Sequence, residues 1–140
     1  MFIKQVSVFL ENREGSMQDV AKVLNDKKIS IISFSLADTS EYGMLRLIVS
    51  QPEEARDLLK EAGFSAMLTD VITVKMENGF MNLSGLFKLI SEADLNIEYM
   101  YAISNIKNSP ALVMKISNSV KALKALNATE YQTYEFEDLQ

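Results

Sequence analysis

The side chains that could do chemistry in this chain are carboxylates, hydroxyls, Lys and Arg, because neither Cys nor His occurs. A Ser-His-Asp or Cys-His system cannot be built from this set, and a typical zinc site is excluded as well. The side chain best suited to proton transfer near neutral pH is also missing. The acidic pairs Glu53/Glu54 and Glu135/Glu137 are typical of a helix start and of a charged strand. We therefore expect no enzyme, no cofactor and no metal site, which leaves non-covalent recognition.

The sequence repeats itself at a nearly fixed spacing, which is the first feature to look for when predicting a fold. The pair Glu11-Asn12 recurs as Glu77-Asn78, 66 residues later. Apolar positions of the first strand and the first helix recur at the same spacing. From about residue 43 the spacing becomes 67, so that Leu45 corresponds to Leu112. The repeated pair and the repeated order of apolar segments predict two copies of one unit, at 1–69 and 70–140.

Each copy is predicted to run strand, helix, strand, strand, helix, strand, from apolar periods of two and of 3.6 residues. Ser16 and Asn82 are the predicted caps of the first helix in each copy, and the last strand is predicted near 130–136. A βαββαβ unit with right-handed crossovers gives an antiparallel sheet with both helices on one face, the ferredoxin-like arrangement. The predicted fold class is α+β, with two such units. The fourth strand of copy one can continue into copy two around Thr69-Asp70, since no Gly, Pro or Asn interrupts that segment.

Charge and hydropathy bound the possible partners. The net charge is −5 and the pI is near 4.8, so phosphate backbones and anionic lipid surfaces are repelled on average. No apolar run reaches the ~20 residues needed to span a bilayer, and the first residues lack the layout of a signal peptide. We expect a cytoplasmic protein that binds neither nucleic acid nor membrane. Copies of about 70 residues have small cores and unpaired edge strands, so we also expect a homodimer.

The turn after the first strand carries a resemblance to a known family. The run Glu11-Asn12-Arg13-Glu14-Gly15-Ser16-Met17, between a strand and a helix, resembles the ACT domain, in which strand one ends in an Asn/Asp-x-x-Gly-x-Leu-like turn. Copy one has Glu14 where Pro is frequent. Copy two keeps the Asn and the Leu, but it has Met81 at the glycine position. Its second strand opens with Asn96-Ile97, the pair common in the family, where copy one has Ser30-Ile31.

The resemblance implies a function and a set of residues. ACT domains bind amino acids or other small metabolites, usually between two ACT units, and regulate an attached or associated enzyme. In the serine-binding type the Asn of the turn and the Asn opening strand two hold the ligand, which by position gives Asn12 with Ser30 and Asn78 with Asn96. A His used in that type is replaced here by Leu10 and Met76, which departs from serine specificity. The candidate ligand-binding residues are Asn12, Glu14, Gly15, Ser16, Met17, Ser30, Ile31, Asn78 and Asn96.

A physical reason supports this placement. Gly15 can adopt backbone angles closed to other residues and lets a ligand approach the main chain. The helix that begins just after it presents unpaired amide N–H groups and its positive dipole end, which suit an α-carboxylate. Asn offers both a donor and an acceptor, which fits a zwitterion. We expect copy one to hold the ligand and copy two to supply the facing wall.

Other interpretations remain open at the level of sequence. Gly15 can serve only to shape the turn, and Asn12 and Asn78 can cap it through their own backbone. The chain is then a protein-interaction or assembly module that binds no small molecule. An acylphosphatase-like enzyme on the same fold needs a phosphate-cradling loop with Arg after strand one; Arg13 lies there, but the loop is not Gly-rich. A metabolite sensor without catalytic machinery must act by changing its association with another protein, such as an enzyme regulated in trans.

Overall fold

The computed structural model describes residues 2–11, 13–38, 42–76, 80, 82–106 and 109–139, with the backbone alone at 38, 104–106 and 109. These residues form two compact units, Lys4–Thr69 and Met1–Ile3 together with Asp70–Gln140. The first three residues thus group with the second unit. Within the described residues, no helix is long and apolar enough to cross a membrane.

The elements follow the predicted order. The first unit contains β1 (Ile3–Glu11), α1 (Ser16–Asp26), β2 (Ile31–Asp38), β3 (Tyr42–Val49), α2 (Pro52–Glu61) and the start of β4 (Ser65–Lys75). The second contains the rest of β4, then α3 (Leu83–Glu92), β5 (Ile97–Ile106), β6 (Ser109–Ile116), α4 (Ser119–Asn127) and a 3₁₀ turn (Phe136–Leu139).

In the first unit the strands lie in the order β2-β3-β1-β4, with β3 antiparallel to both β1 and β2. One face of this sheet carries the core. Val6 and Val8 of β1 pack with Leu45 and Leu47 of β3, and α1 and α2 cover them. The helical residues of this core are Val20, Leu24, Ala55 and Leu59. Both helices therefore lie on one face, as the ferredoxin-like pattern predicts.

The second unit repeats the arrangement. Strand β6 is antiparallel to both β4 and β5, and Ile72, Met114 and Leu112 pack beneath Leu86 and Leu126 of the two helices. The two copies correspond in backbone detail as well. Lys28 and Asp94, which are 66 residues apart, end equivalent helix-to-strand turns with φ of 58° and 57°. The α+β fold class with two ferredoxin-like units is confirmed.

Strand β4 is continuous from Ser65 to Lys75, and the boundary between the units falls inside it, between Thr69 and Asp70. This agrees with the expectation that the last strand of copy one runs into the first strand of copy two.

The predicted last strand over 130–136 was wrong in its extent. Only a bridge between Val74 and Thr133 forms, with one hydrogen bond on each side, from Lys75 N to Gln132 O (2.8 Å) and from Tyr134 N to Thr73 O (2.8 Å). Asp138 then turns the chain, because its carboxylate accepts from Glu135 N at 2.9 Å. Acidic residues are poor strand formers and favour such local hydrogen bonds. The fourth strand of the second unit is thus reduced to one bridge.

Candidate ligand site

The turn between β1 and α1 is built around Gly15. Its φ is 84°, in the left-handed region that glycine adopts without a steric penalty. A Cβ added at this position would meet no atom within 4 Å. Space therefore lies directly above the main chain at the point where the helix starts.

Gly15, and not Ser16, is the N-cap of α1, so the predicted cap was wrong by one residue. The buried Ser16 instead donates its hydroxyl to Arg13 O at 3.2 Å. No side chain caps the helix, and the first intrahelical bond runs from Asp19 N to Gly15 O at 2.9 Å. The amide N–H groups of Ser16, Met17 and Gln18 consequently have no acceptor within the helix. In copy two, Asn82 is the N-cap of α3 as predicted, also without a side-chain hydrogen bond.

Arg13 is the cationic group of the turn. Its Nη2 lies 3.1 Å from Asp19 Oδ2, and its Nε lies 4.0 Å from Glu11 Oε2. Its Nη1 donates to Glu14 O at 3.2 Å. These contacts hold the guanidinium beside the first turn of α1 while half of the side chain remains exposed. A carboxylate entering this region can exchange with Asp19 for the same guanidinium.

A cavity of about 540 Å³ opens beside the turn. It mixes charged, apolar and small residues, and both signs of charge are represented. Phe9 and Tyr42 line one side as a tilted ring pair with centroids 5.2 Å apart. The lining residues are Phe9, Glu11, Arg13, Ser16, Asp19, Lys22, Val23, Tyr42, Ala62, Gly63, Phe64 and Ser65. This combination suits a small zwitterion with an apolar portion.

Lys22 adds a second cation to the lining. Its Nζ donates to Asp26 Oδ2 at 2.9 Å, and this hydrogen bond, together with the charge of Asp26, raises the pKa of Lys22 above its ordinary value. Lys22 therefore stays protonated at neutral pH. Among the residues described, no group of three or more acidic side chains is placed to hold a metal ion.

The other half of the predicted site lies at the opposite end of α1. Ser30 and Ile31 line a different, more open cavity of about 790 Å³, formed with the C-terminal half of α1. An 11-residue helix is about 16 Å long, so one amino acid cannot touch both Gly15 and Ser30 of the same unit. The geometry thus separates residues that the sequence pattern had grouped.

Ser30 and Asn96 occupy equivalent positions with equivalent backbone bonds. Ser30 N donates to Ser50 Oγ at 3.0 Å and Ser50 N donates to Ser30 O at 3.0 Å. In copy two Asn96 N donates to Ser117 Oγ at 3.0 Å and Ser117 N donates to Asn96 O at 2.9 Å. The main chain at each strand start is pinned while both side chains are exposed.

The remaining predicted residues divide into two groups. Glu14 and Met17 are exposed on the turn beside the cavity. Asn12 and Asn78 lie outside the described residues. The prediction from sequence did not include Arg13 and Asp19 as binding residues, nor Phe64. Arg13 could have been found, because it is the only basic residue within the turn; Asp19 and Phe64 are brought to the cavity by folding alone.

Comparisons with known proteins agree with this architecture. The family model described as "ACT domain pair" matches residues 1–140. Protein BT0572 from Bacteroides thetaiotaomicron is 32% identical, with a TM-score of 0.91 over 99% of this chain and 96% of that one. A search of curated proteins finds no match.

Two more distant structures share the fold. The ligand-free regulatory subunit of aspartate kinase from Thermus thermophilus is 16% identical, with a TM-score of 0.62 over 89% of this chain and 91% of that one. The regulatory subunit of aspartate kinase from Thermus flavus is 17% identical, with a TM-score of 0.64 over 89% and 90% of the two chains. The whole-chain family match and the 32% identity decide the assignment: this chain belongs to the family of ACT domain pairs.

Proposed function

We propose that this chain is a regulatory protein of the cytoplasm that binds an amino acid or a similar small metabolite and thereby modulates an associated enzyme. The observation that carries the proposal is the cavity beside Gly15, where an uncapped helix start and Arg13 face the same space. Membership of the ACT domain pairs supports the ligand class. The two Thermus structures, which are regulatory subunits of aspartate kinase, support a role in regulating an enzyme.

The binding mode follows from the charges. The ligand's carboxylate accepts from the free amides of Ser16 and Met17 and from the Arg13 guanidinium, where a helix dipole and a cation reinforce each other. Its ammonium group lies toward Asp19 or Glu11. Its side chain lies against Phe9 and Phe64, the apolar part of the lining.

Thermal-shift measurement against each of the twenty amino acids at millimolar concentration tests this function. At least one of them should raise the melting temperature of the wild type, because a ligand that binds only the native state stabilises it. Arg13→Gln should lose that shift. Arg56→Gln is the matched control, because Arg56 also forms an exposed ion pair with an aspartate, Asp57 at 2.9 Å, but lies outside the cavity. A wild type that responds to none of the amino acids contradicts the proposal and favours an assembly module.

A further inference from the structure

Strand β2 stands at one end of the strand order, and its helix-facing side chains are uncovered. Phe34 and Leu36 lie opposite Leu47 and Leu45 of β3, so they point to the face that holds the core. Yet Leu45 and Leu47 are buried, whereas Phe34 is 65% and Leu36 is 50% exposed. The apolar face of the sheet therefore continues one strand beyond the part that α1 and α2 cover.

The sequence of β2 does not protect this edge. Soluble proteins usually blunt an edge strand with Lys, Pro, a bulge or an inward-pointing charge. The strand Ile31–Asp38 has no Lys, Arg, Pro or Gly, and its one charged residue is the last one. The irregularity near its start, between Ile31 and Ser33, leaves 33–38 as a regular ladder with an open outer side.

We propose that β2 pairs antiparallel with β2 of a second copy of this chain, with Ser35 opposite Ser35 on the two-fold axis. A two-fold axis perpendicular to the sheet requires one residue to lie opposite itself, and it keeps the helices of both copies on one face. With Ser35 at the centre, Phe34 lies opposite Leu36 of the second copy, and Leu36 opposite Phe34. All four apolar side chains then meet on the helix-facing side as cross-strand pairs.

Neighbouring registers are less favourable. A centre at Leu36 sets Phe34 against the acidic residue Asp38. A centre at Phe34 draws Ile32 into the pairing, at the irregular part of the strand. Pairing β2 with β5 of a second copy, with Phe34 and Leu36 opposite the exposed Ala102 and Met100, sets Asp38 against Glu98. Like charges directly opposite each other destabilise a sheet.

The pairing also answers the separation of the two halves of the candidate site, although it does not depend on ligand binding. Gly43 of β3 pairs with both Leu10 of β1 and Asp38 of β2, so β2 ends at the same end of the sheet as the Gly15 turn. Ser30 precedes its opposite end. An antiparallel partner reverses these ends, which brings Ser30 of one copy to the level of the Gly15 turn of the other.

The absence of cysteine from the chain allows a direct test of the register. Ser35→Cys introduces one thiol on the two-fold axis, at a Cβ separation near that of a disulfide. Mild oxidation should convert most of this variant into a covalent dimer on a non-reducing gel. Ala37→Cys is the control, because residues 37 of the two copies lie about 13 Å apart in this register and should not cross-link. Equal cross-linking of both variants, or cross-linking of Ser35→Cys only when mixed with Tyr101→Cys on β5, overturns the proposal.

Sedimentation gives a second, independent measurement. Phe34→Glu should convert the dimer to a monomer without loss of helix content, because the side chain is exposed within its unit. Val120→Glu is the matched control, since Val120 is 57% exposed on α4, and it should remain dimeric. A monomeric wild type, or a Phe34→Glu variant as dimeric as the control, refutes the interface whether or not an amino acid binds.

Discussion

The hydroxyl oxygen of Tyr131 lies 2.7 Å from the position that a Cβ on Gly85 would occupy. Gly85 is in the first turn of α3, and Tyr131 packs against the core of the second unit. The residues at the equivalent positions of the first unit are Asp19 and Phe64, 66 and 67 residues earlier. A phenol and a glycine thus replace a benzyl group and a carboxylate, so the two units differ beside the helix start.

This contact predicts the effect of Gly85→Ala. In a helix that change ordinarily stabilises by up to about 1 kcal/mol, but here the new methyl group meets the Tyr131 hydroxyl. We expect Gly85→Ala to leave the free energy of unfolding unchanged or lower, and to raise it once Tyr131→Phe has removed the hydroxyl. Urea unfolding of the two single variants and the double variant measures the coupling. Additive effects would show that the hydroxyl does not restrict position 85.

Lys28 predicts a stabilising substitution. Its φ of 58° places a non-glycine residue in the left-handed region, at a cost of roughly 1 kcal/mol. Lys28→Gly should raise the free energy of unfolding by about that amount, because glycine is favoured just after a helix end. Lys27→Gly is the control, since Lys27 has a φ of −102° and gains nothing from glycine. The prediction fails if the two variants unfold at the same urea concentration.

Thr73 predicts another gain. Its hydroxyl is buried and is the one buried side-chain polar atom, among the described residues, without a hydrogen-bond partner. Thr73→Val should stabilise by about 1 kcal/mol, since it removes an unpaired polar group and keeps the shape. Thr69→Val should destabilise, because Thr69 Oγ1 lies 3.1 Å from Ser7 Oγ and the serine would lose its partner. Thermal unfolding of both variants gives the comparison, and a loss in both would contradict the account of Thr73.

The duplication and the fold class could be predicted from the sequence because both depend on apolar spacing, which repeats faithfully. The N-cap was misplaced because the turn hydrogen bond from Ser16 to Arg13 O competes with capping, and residue type alone does not decide between them. The last strand was overextended because the capping of the final turn by Asp138 does not appear in a pattern of alternating apolar residues.

The candidate site was only half predictable for a different reason. The turn is contiguous in sequence, so Gly15 and its neighbours could be identified together. Ser30 follows the same helix in sequence, but α1 carries it to the far end of the unit. Asp19 and Phe64 reach the cavity through the packing of α1 and the start of β4, which no short motif encodes.

Titration of ¹⁵N-labelled protein, followed by amide chemical shifts, tests the central claim most directly. The probe is the amino acid that gives the largest thermal shift. The amides of Ser16, Met17 and Gln18 should move downfield and saturate together, because they are the donors without an intrahelical acceptor. Amides of α4, on the second unit, serve as the internal reference and should stay in place. Saturable shifts confined to residues away from the Gly15 turn, or no shifts at all, would contradict the assignment of this turn as the ligand site.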